Sequence, residues 1–222
     1  MKVILIRHGE SEANFENYWT GWLDVDLTTK GLKQAQVAGE KIATRGLTID
    51  VAFESVLKRS IKTAKVILNE AQANFVPEFK TWRLNERHYG QLVGKNKAQM
   101  TAEFGAKQVE KWRRGYTTVP PLVEKNHFDR RYATLDPRLI PLGESLQQTL
   151  TRVLPLWEDQ IALRVKLGQT VLVCGHGNSL RALIKYLDQV ADDAVNTIDV
   201  PNATPVVYTF DAALQVVAKE VL

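Results

Sequence analysis

The chain has almost no sulfur chemistry available to it. A single cysteine, Cys174, stands among 222 residues. One thiol forms neither an internal disulfide nor a cysteine-based metal site, which excludes a disulfide-stapled secreted fold. Long hydrophobic runs are also missing. No apolar stretch approaches the roughly 20 residues that a membrane helix needs. The apolar start Val3–Ile6 is interrupted by Arg7 and His8, too soon for the core of a signal peptide. These absences point to the cytoplasm and away from a membrane. Excess charge of one sign is scarce as well: 29 Lys and Arg against 25 Asp and Glu leave a formal net charge of +4. So small a balance does not predict a nucleic-acid partner, but it permits a local cationic pocket for a small anion.

What is present is ordinary globular composition, with 45% hydrophobic and 24% charged residues. That apolar fraction excludes disorder as the main state. The length suits one sizeable core and is short for two, so residues 1–222 read as one domain. Val3–Ile6 and Thr170–Cys174 are short, β-branched and apolar on both faces, as strands inside a parallel sheet are. Val51–Phe53 and Val206–Phe210 read as further strands, and Gln215–Ala218 as an edge strand. Between them lie helical patterns: Leu32, Ala35, Ala38 and Ile42; then Ile61, Ala64, Ile67 and Leu68. A longer helix starts near Glu144 and runs through Leu150 and Val153 to Ile161, with a kink expected at Pro155. Ser179–Val190 reads as another helix. Strand–helix alternation of this kind predicts an α/β fold, a three-layer sandwich with a mostly parallel central sheet flanked by helices. Residues 75–143 break the rhythm, hold most of the eight prolines, and read as a lid or insertion on that core.

Two turns share a pattern. The first strand ends in Arg7-His8-Gly9-Glu10-Ser11, and the strand at 170–174 ends in Gly175-His176-Gly177-Asn178-Ser179. Each puts a histidine just past the carboxyl end of a buried strand, where α/β sheets bind their ligands. The chain has only four histidines, and two of them occupy these matching places. A zinc site would need a third ligand, for which Glu86 or His88 are the only nearby types, without convincing spacing. A serine hydrolase would need a G-x-S-x-G elbow, which is missing. Imidazole as a nucleophile toward phosphorus fits better, because arginines and backbone amides can neutralise phosphoryl oxygens without a metal. A protonated His176 would add one more donor.

The segments RHGESEAN (7–14), TGW (20–22), LKRSIKTA (57–64), LNERHYG (84–90) and HGNSLRALIKYLD (176–188) resemble, in order, the cofactor-dependent phosphoglycerate mutases of the histidine phosphatase superfamily. KWRRG (111–115) and Pro120-Pro121 narrow the resemblance to its 2,3-bisphosphoglycerate-dependent members. The resemblance implies His8 as the nucleophile, Glu86 as the general acid/base, and Arg7, Arg59 and His176 around the transferred phosphoryl group. It implies Asn14, Thr20, Gly21, Gly177 and Asn178 as completing that pocket. Arg87, His88, Tyr89, Lys97, Arg113 and Arg114 are implied at the far end of the substrate. The expected reaction interconverts 3-phosphoglycerate and 2-phosphoglycerate, primed by 2,3-bisphosphoglycerate and without metal. Chemistry agrees: transfer between two hydroxyls needs one proton donor and one acceptor, which a single carboxylate supplies in turn. A homodimer or homotetramer is implied, with the phosphoglycerate as the small-molecule partner.

Taken singly, these residues have plainer readings. Arg113-Arg114 would be a solvated basic pair at a helix end, Lys97 a surface charge, Glu86-Arg87 a loop ion pair, and His88 a group that orders its own loop. Two features depart from the family pattern. Members commonly continue past the last strand with a mobile tail, and the stretch between Tyr116 and Leu142 is shorter here. Both lead to the expectation of a more open site with more hydrolysis. The alternatives are therefore a phosphatase of small phosphate esters on the same chemistry, or a catalytically silent member of the fold.

Overall fold

A computed structural model describes all 222 residues. In chain order the elements are β1 (Lys2–Arg7), α1 (Glu12–Phe15), α2 (Thr29–Thr44), β2 (Val51–Glu54), α3 (Lys58–Glu70), β3 (Glu78–Lys80), α4 (Lys97–Phe104), α5 (Ala106–Arg114), α6 (Leu146–Leu156), α7 (Ala162–Lys166), β4 (Thr170–Gly175), α8 (Gly177–Leu187), β5 (Val206–Phe210) and β6 (Val216–Val221). The six strands form one mixed sheet in the order β3-β2-β4-β1-β5-β6. β3 pairs with β2, β2 with β4 and β4 with β1, all in parallel, while β5 and β6 add antiparallel pairings at the β1 edge. The α/β sandwich read from the sequence is the observed architecture.

Alternation along the strands builds two cores, one on each face. Val3, Leu5, Phe53, Val171 and Val173 pack under α6 and α8. Ile4, Ile6, Ala52, Leu172 and Cys174 pack under α2 and α3, against Ala38, Ile42, Ala64 and Ile67. The central strands are therefore apolar throughout, which is why their sequence signal is plain. β3 carried no such signal, since its three residues are an edge strand with little burial. Pro155 is accommodated in the last turn of α6, and the chain then passes through one π-helical turn, Trp157–Ile161, before α7. Proline removes a backbone donor, and a wider turn is a common way to absorb the mismatch.

The loop after β1 folds hard against α2. A β-carbon on Gly9 would lie 2.2 Å from the Gly31 carbonyl oxygen, and one on Gly31 would lie 2.0 Å from that of Glu10. Only glycine fits on both sides of this contact. Residues 75–143 hold β3, α4, α5 and several 3₁₀ turns. Their own small core is Leu92, Val109 and Trp112 around Trp19. Backbone hydrogen bonds tie them to the body: Trp19 N–H to the Lys95 carbonyl (2.9 Å), Gly94 N–H to that of Trp19 (2.8 Å), and Lys97 N–H to that of Asn17 (2.9 Å). This stitching sets Lys97 and the end of α5 above the carboxyl ends of β1 and β4.

Candidate active site

β1 and β4 run in register, Arg7 opposite Gly175, so the two histidines that follow them emerge side by side. The His8 N–H bonds back to the Gly175 carbonyl at 3.1 Å. The two imidazole centroids are 4.9 Å apart. His8 Nδ1 donates to its neighbour's carbonyl, Gly9 O, at 2.7 Å. That fixes the tautomer: the lone pair is on Nε2. Burial, with Arg59 and Arg7 nearby, holds the His8 pKa well below the ordinary range and keeps the ring neutral. A neutral imidazole with a fixed lone pair is a nucleophile at neutral pH.

His176 is also buried, and burial together with Arg59 pushes its pKa well down. Burial thus favours the neutral ring over the cation considered from the sequence. Ser55, just past the end of β2, places its Oγ 2.7 Å from His176 Nε2 while accepting from the Leu57 N–H at 3.2 Å. In the tautomer where the hydroxyl donates to Nε2, the ring proton resides on Nδ1. Nδ1 has no partner within the protein. Neither does Arg7 Nε or Arg59 Nε. Arg59 is held by the Gly21 and Leu23 carbonyls (3.0 and 2.7 Å), and Arg7 by the Val200 carbonyl (2.9 Å). Buried donors normally find acceptors. Three fixed donors left open around one histidine fit the oxygens of a phosphoryl group.

Glu86 stands over this floor. Its Oε1 accepts from the Arg87 N–H (2.8 Å), the Asn178 N–H (3.1 Å) and the Asn178 side-chain amide (3.0 Å). Its Oε2 takes none of these bonds and faces Gly177. The Glu86 backbone is fixed as firmly. Arg152 reaches from α6 to the carbonyls of Arg83, Asn85 and Glu86 (2.6, 3.0 and 3.0 Å), and its guanidinium pairs with buried Glu144 at 2.6 Å. Ser179 bonds the His176 N–H and the Leu84 carbonyl, joining the start of α8 to the same loop.

Above the floor is a polar cavity of about 130 Å³. Arg7, Asn14, Thr20, Glu86, Tyr89, Lys97, Arg113, Arg114, Gly177 and Asn178 line it, all singled out in the sequence. Burial, Arg113 and Arg7 bring the Lys97 pKa down to about 8. Gly21 holds the Arg59 guanidinium through its carbonyl. His8, Arg59, His176 and Gly21 are buried and are not part of this lining, and two further expected residues turn away from it. The Arg87 guanidinium is buried beneath α5, donating to the Trp112 and Arg113 carbonyls and stacking on Tyr89 at 4.7 Å. His88 turns away, its Nδ1 accepting from the Gly90 N–H (3.1 Å) and its ring against Trp22. Both hold the loop that carries Glu86 and Tyr89 instead of reaching into the cavity, because neighbouring side chains of a tight turn diverge.

Tyr18, Trp19, Arg181 and Asp199 also line the cavity, and the sequence reading missed them. For Arg181 a signal existed, since it lies three residues after Asn178 on one helix face. For Asp199 there was none, as it sits in a loop. A larger groove, about 1020 Å³, lies between the 119–122 and 138–144 segments. Its lining lacks Arg7, Glu86, Gly177 and Asn178, all of which line the smaller cavity beside the two histidine turns, so the smaller cavity carries the chemistry. No group of three or more His, Cys, Asp or Glu is arranged to hold a metal ion, and no helix is long and apolar enough to cross a membrane.

Comparison with known proteins agrees with this geometry. The family described as histidine phosphatase superfamily (branch 1) matches residues 3–220. A protein of Lactiplantibacillus plantarum named 2,3-bisphosphoglycerate-dependent phosphoglycerate mutase 2 is 50% identical over 226 residues, covering 100% of this chain and 98% of its own. The 2,3-bisphosphoglycerate-dependent phosphoglycerate mutase of Neisseria meningitidis is 50% identical over 224 residues, 99% of each chain. These relatives have little sequence outside the matched region, so a long terminal extension is not a general property of proteins with that name. A mycobacterial glucosyl-3-phosphoglycerate phosphatase superposes with a TM-score of 0.76 at 22% identity, over 99% of this chain and 96% of that one, and shares the fold. This chain belongs to the histidine phosphatase superfamily, branch 1, and within it to the 2,3-bisphosphoglycerate-dependent phosphoglycerate mutases.

Proposed function

We propose that this protein interconverts 3-phosphoglycerate and 2-phosphoglycerate by way of a phosphohistidine on His8. The observation that carries the reading is the adjacency of two unlike halves, joined where Arg7 and Gly177, the sequence neighbours of His8 and His176, line the cavity. One half is a neutral His8 ringed by the open donors of Arg7, Arg59 and His176. The other is a set of cations, Lys97, Arg113 and Arg114, across from Glu86. A phosphatase needs the first half alone. A substrate with a phosphate and a carboxylate at opposite ends needs both.

In this reading the bond from phosphorus to His8 Nε2 breaks as the bond to the 2-hydroxyl oxygen of 3-phosphoglycerate forms. Glu86 takes the hydroxyl proton on Oε2. Reorientation within the cavity then presents the other phosphoryl group to His8, and Glu86 returns the proton to the departing oxygen. Positioning and charge stabilisation supply most of the rate. The side chains provide the positive charge, so we read the transfer as metal-independent.

The relatives are named for their dependence on 2,3-bisphosphoglycerate. The three open donors fit one of its phosphates, and Lys97, Arg113 and Arg114 fit its other anionic groups. Its chemical contribution is the phosphoryl group that first charges His8. The further assignments follow the same resemblance: residues 75–143 as the lid of a single domain, and a cytoplasmic location. A homodimer or homotetramer is supported by exposed Phe75 and Phe79 beside the open edge of β3.

The deciding experiment is a coupled assay for 2-phosphoglycerate formed from 3-phosphoglycerate, with and without added 2,3-bisphosphoglycerate, with released inorganic phosphate measured alongside. Turnover to 2-phosphoglycerate that exceeds hydrolysis is expected. Hydrolysis without isomerisation would make the protein a phosphatase, and no phosphoryl chemistry at all would make it a silent member of the fold.

A further inference from the structure

Arg181 lies one helical turn after Asn178 on α8 and is only 7% exposed. Its Nε donates to the Ile198 carbonyl at 3.0 Å, which fixes the guanidinium. Its Nη1 donates to Asn178 Oδ1 at 2.9 Å. The other end of the same amide, Nδ2, donates to Glu86 Oε1 at 3.0 Å and to the Tyr89 hydroxyl at 2.6 Å. We infer that Arg181 is a positioning residue for proton transfer, acting through Asn178 to reserve Glu86 Oε2 as the oxygen that exchanges the proton. The inference rests on the mutase reading of Glu86.

The argument is one of hydrogen-bond polarity. A carboxamide is nearly the same shape in its two flipped orientations, and only its partners choose between them. Guanidinium is donor-only, so it demands Oδ1. An ionised carboxylate is acceptor-only, so it demands Nδ2. With Arg181 in place the two demands agree, and Oε1 of Glu86 is saturated by three donors. A proton arriving at Glu86 therefore has only Oε2, on the side of Gly177 and the cavity. Without the guanidinium only the ionised carboxylate holds the amide, and once Glu86 takes a proton the amide is free to flip. Oδ1 would then face Oε1, and that contact is favourable only with a proton between them. The proton would be parked on the oxygen away from the substrate.

The test separates transfers that need this proton from those that do not. Phosphohistidine formation is timed by rapid quench at saturating donor, so that lost affinity for an anion does not enter. With 2,3-bisphosphoglycerate the leaving oxygen is an alkoxide that must be protonated. With p-nitrophenyl phosphate it leaves as a stabilised phenolate. Arg181→Met should slow transfer from the first by roughly 10- to 100-fold, a share of the usual general-acid contribution, and leave transfer from the second near the wild-type rate. Arg181→Lys keeps a donor for Asn178 Oδ1 and should recover much of the loss. The aryl donor reports that the fold and His8 are intact. Equal loss with both donors in both variants, or no loss with either, overturns the inference. The mutase reading fails separately, if wild-type phosphoenzyme does not convert 3-phosphoglycerate.

Discussion

Glu86 Oε2 lies 3.5 Å from the point that a β-carbon on Gly177 would occupy, and Arg7 Cζ lies 3.7 Å from the same point. That point is therefore the approach between the general acid/base and a cation of the phosphoryl pocket. Gly177 opens α8 without a positive φ, so alanine there is conformationally easy. Gly177→Ala should keep its melting temperature, because the methyl meets both groups at ordinary contact distance, and should lose less than about tenfold in kcat/KM, because it takes space between them without displacing either. Steady-state kinetics beside a thermal melt checks both halves.

Lys97 gives the site a pH limit. Its pKa is lowered to about 8 by burial and by Arg113 and Arg7, with Glu86 pulling the other way. Below that pH the ammonium is charged and attracts the anionic end of the substrate; above it the charge is lost. The KM for 3-phosphoglycerate should rise as pH passes upward through about 8. Lys97→Arg should flatten that rise, because guanidinium stays charged. A KM profile from pH 6.5 to 9.5 reads it.

Glu54, at the carboxyl end of β2, is fully buried with only half-exposed Lys80 as a counter-charge, 3.2 Å away. Burial raises its pKa to about 7 against 4.5 in the unfolded chain, so the folded state binds the extra proton. The linked stability is fully present below pH 4.5 and is lost as pH rises through 7. Glu54→Gln keeps the shape without the charge. It should be more stable than wild type at pH 8, by on the order of 1–3 kcal/mol, and the gain should vanish near pH 4.5. Urea unfolding at the two pH values measures this.

Arg152 and Glu144 form a buried ion pair that also grips the loop carrying Glu86. Arg152→Met removes the counter-charge of buried Glu144 and the guanidinium donors to the Arg83 and Asn85 carbonyls, while the Glu86 carbonyl keeps the Trp22 indole N–H. It should cost about 3–5 kcal/mol in chemical denaturation. Pairing it with Glu144→Gln should restore part of that loss, because the uncompensated charge is then gone.

Much of this was legible in the sequence, for physical reasons. β1 and β4 are apolar on both faces because both are covered, and the two His-Gly turns follow from strands that end in register. Lys97, Arg113 and Arg114 could not be told from surface charges by pattern alone; the family resemblance placed them. Neighbours in sequence diverge in space here: Arg87, expected at the substrate's far end, lies beneath α5, and His88 orders its own loop as its plainer reading had it. The sequence reading missed α4 and gave α5 only as a helix end at Arg113-Arg114, because these helices pack on the body through the small cluster around Trp19 and not along a long apolar stripe. Glu144 and Arg152, eight residues apart, carry no motif, and their role exists only once α6 lies beside the 83–86 loop.

The central claim is that a phosphoryl group rests on His8 Nε2 and passes to a glycerate hydroxyl. Protein carrying labelled phosphate on His8 is mixed with unlabelled 3-phosphoglycerate and quenched at successive times. The label should leave the protein at the rate of turnover and appear in phosphoglycerate, with His8→Ala never labelled. Label released only as inorganic phosphate, at one rate with or without 3-phosphoglycerate, would contradict the account.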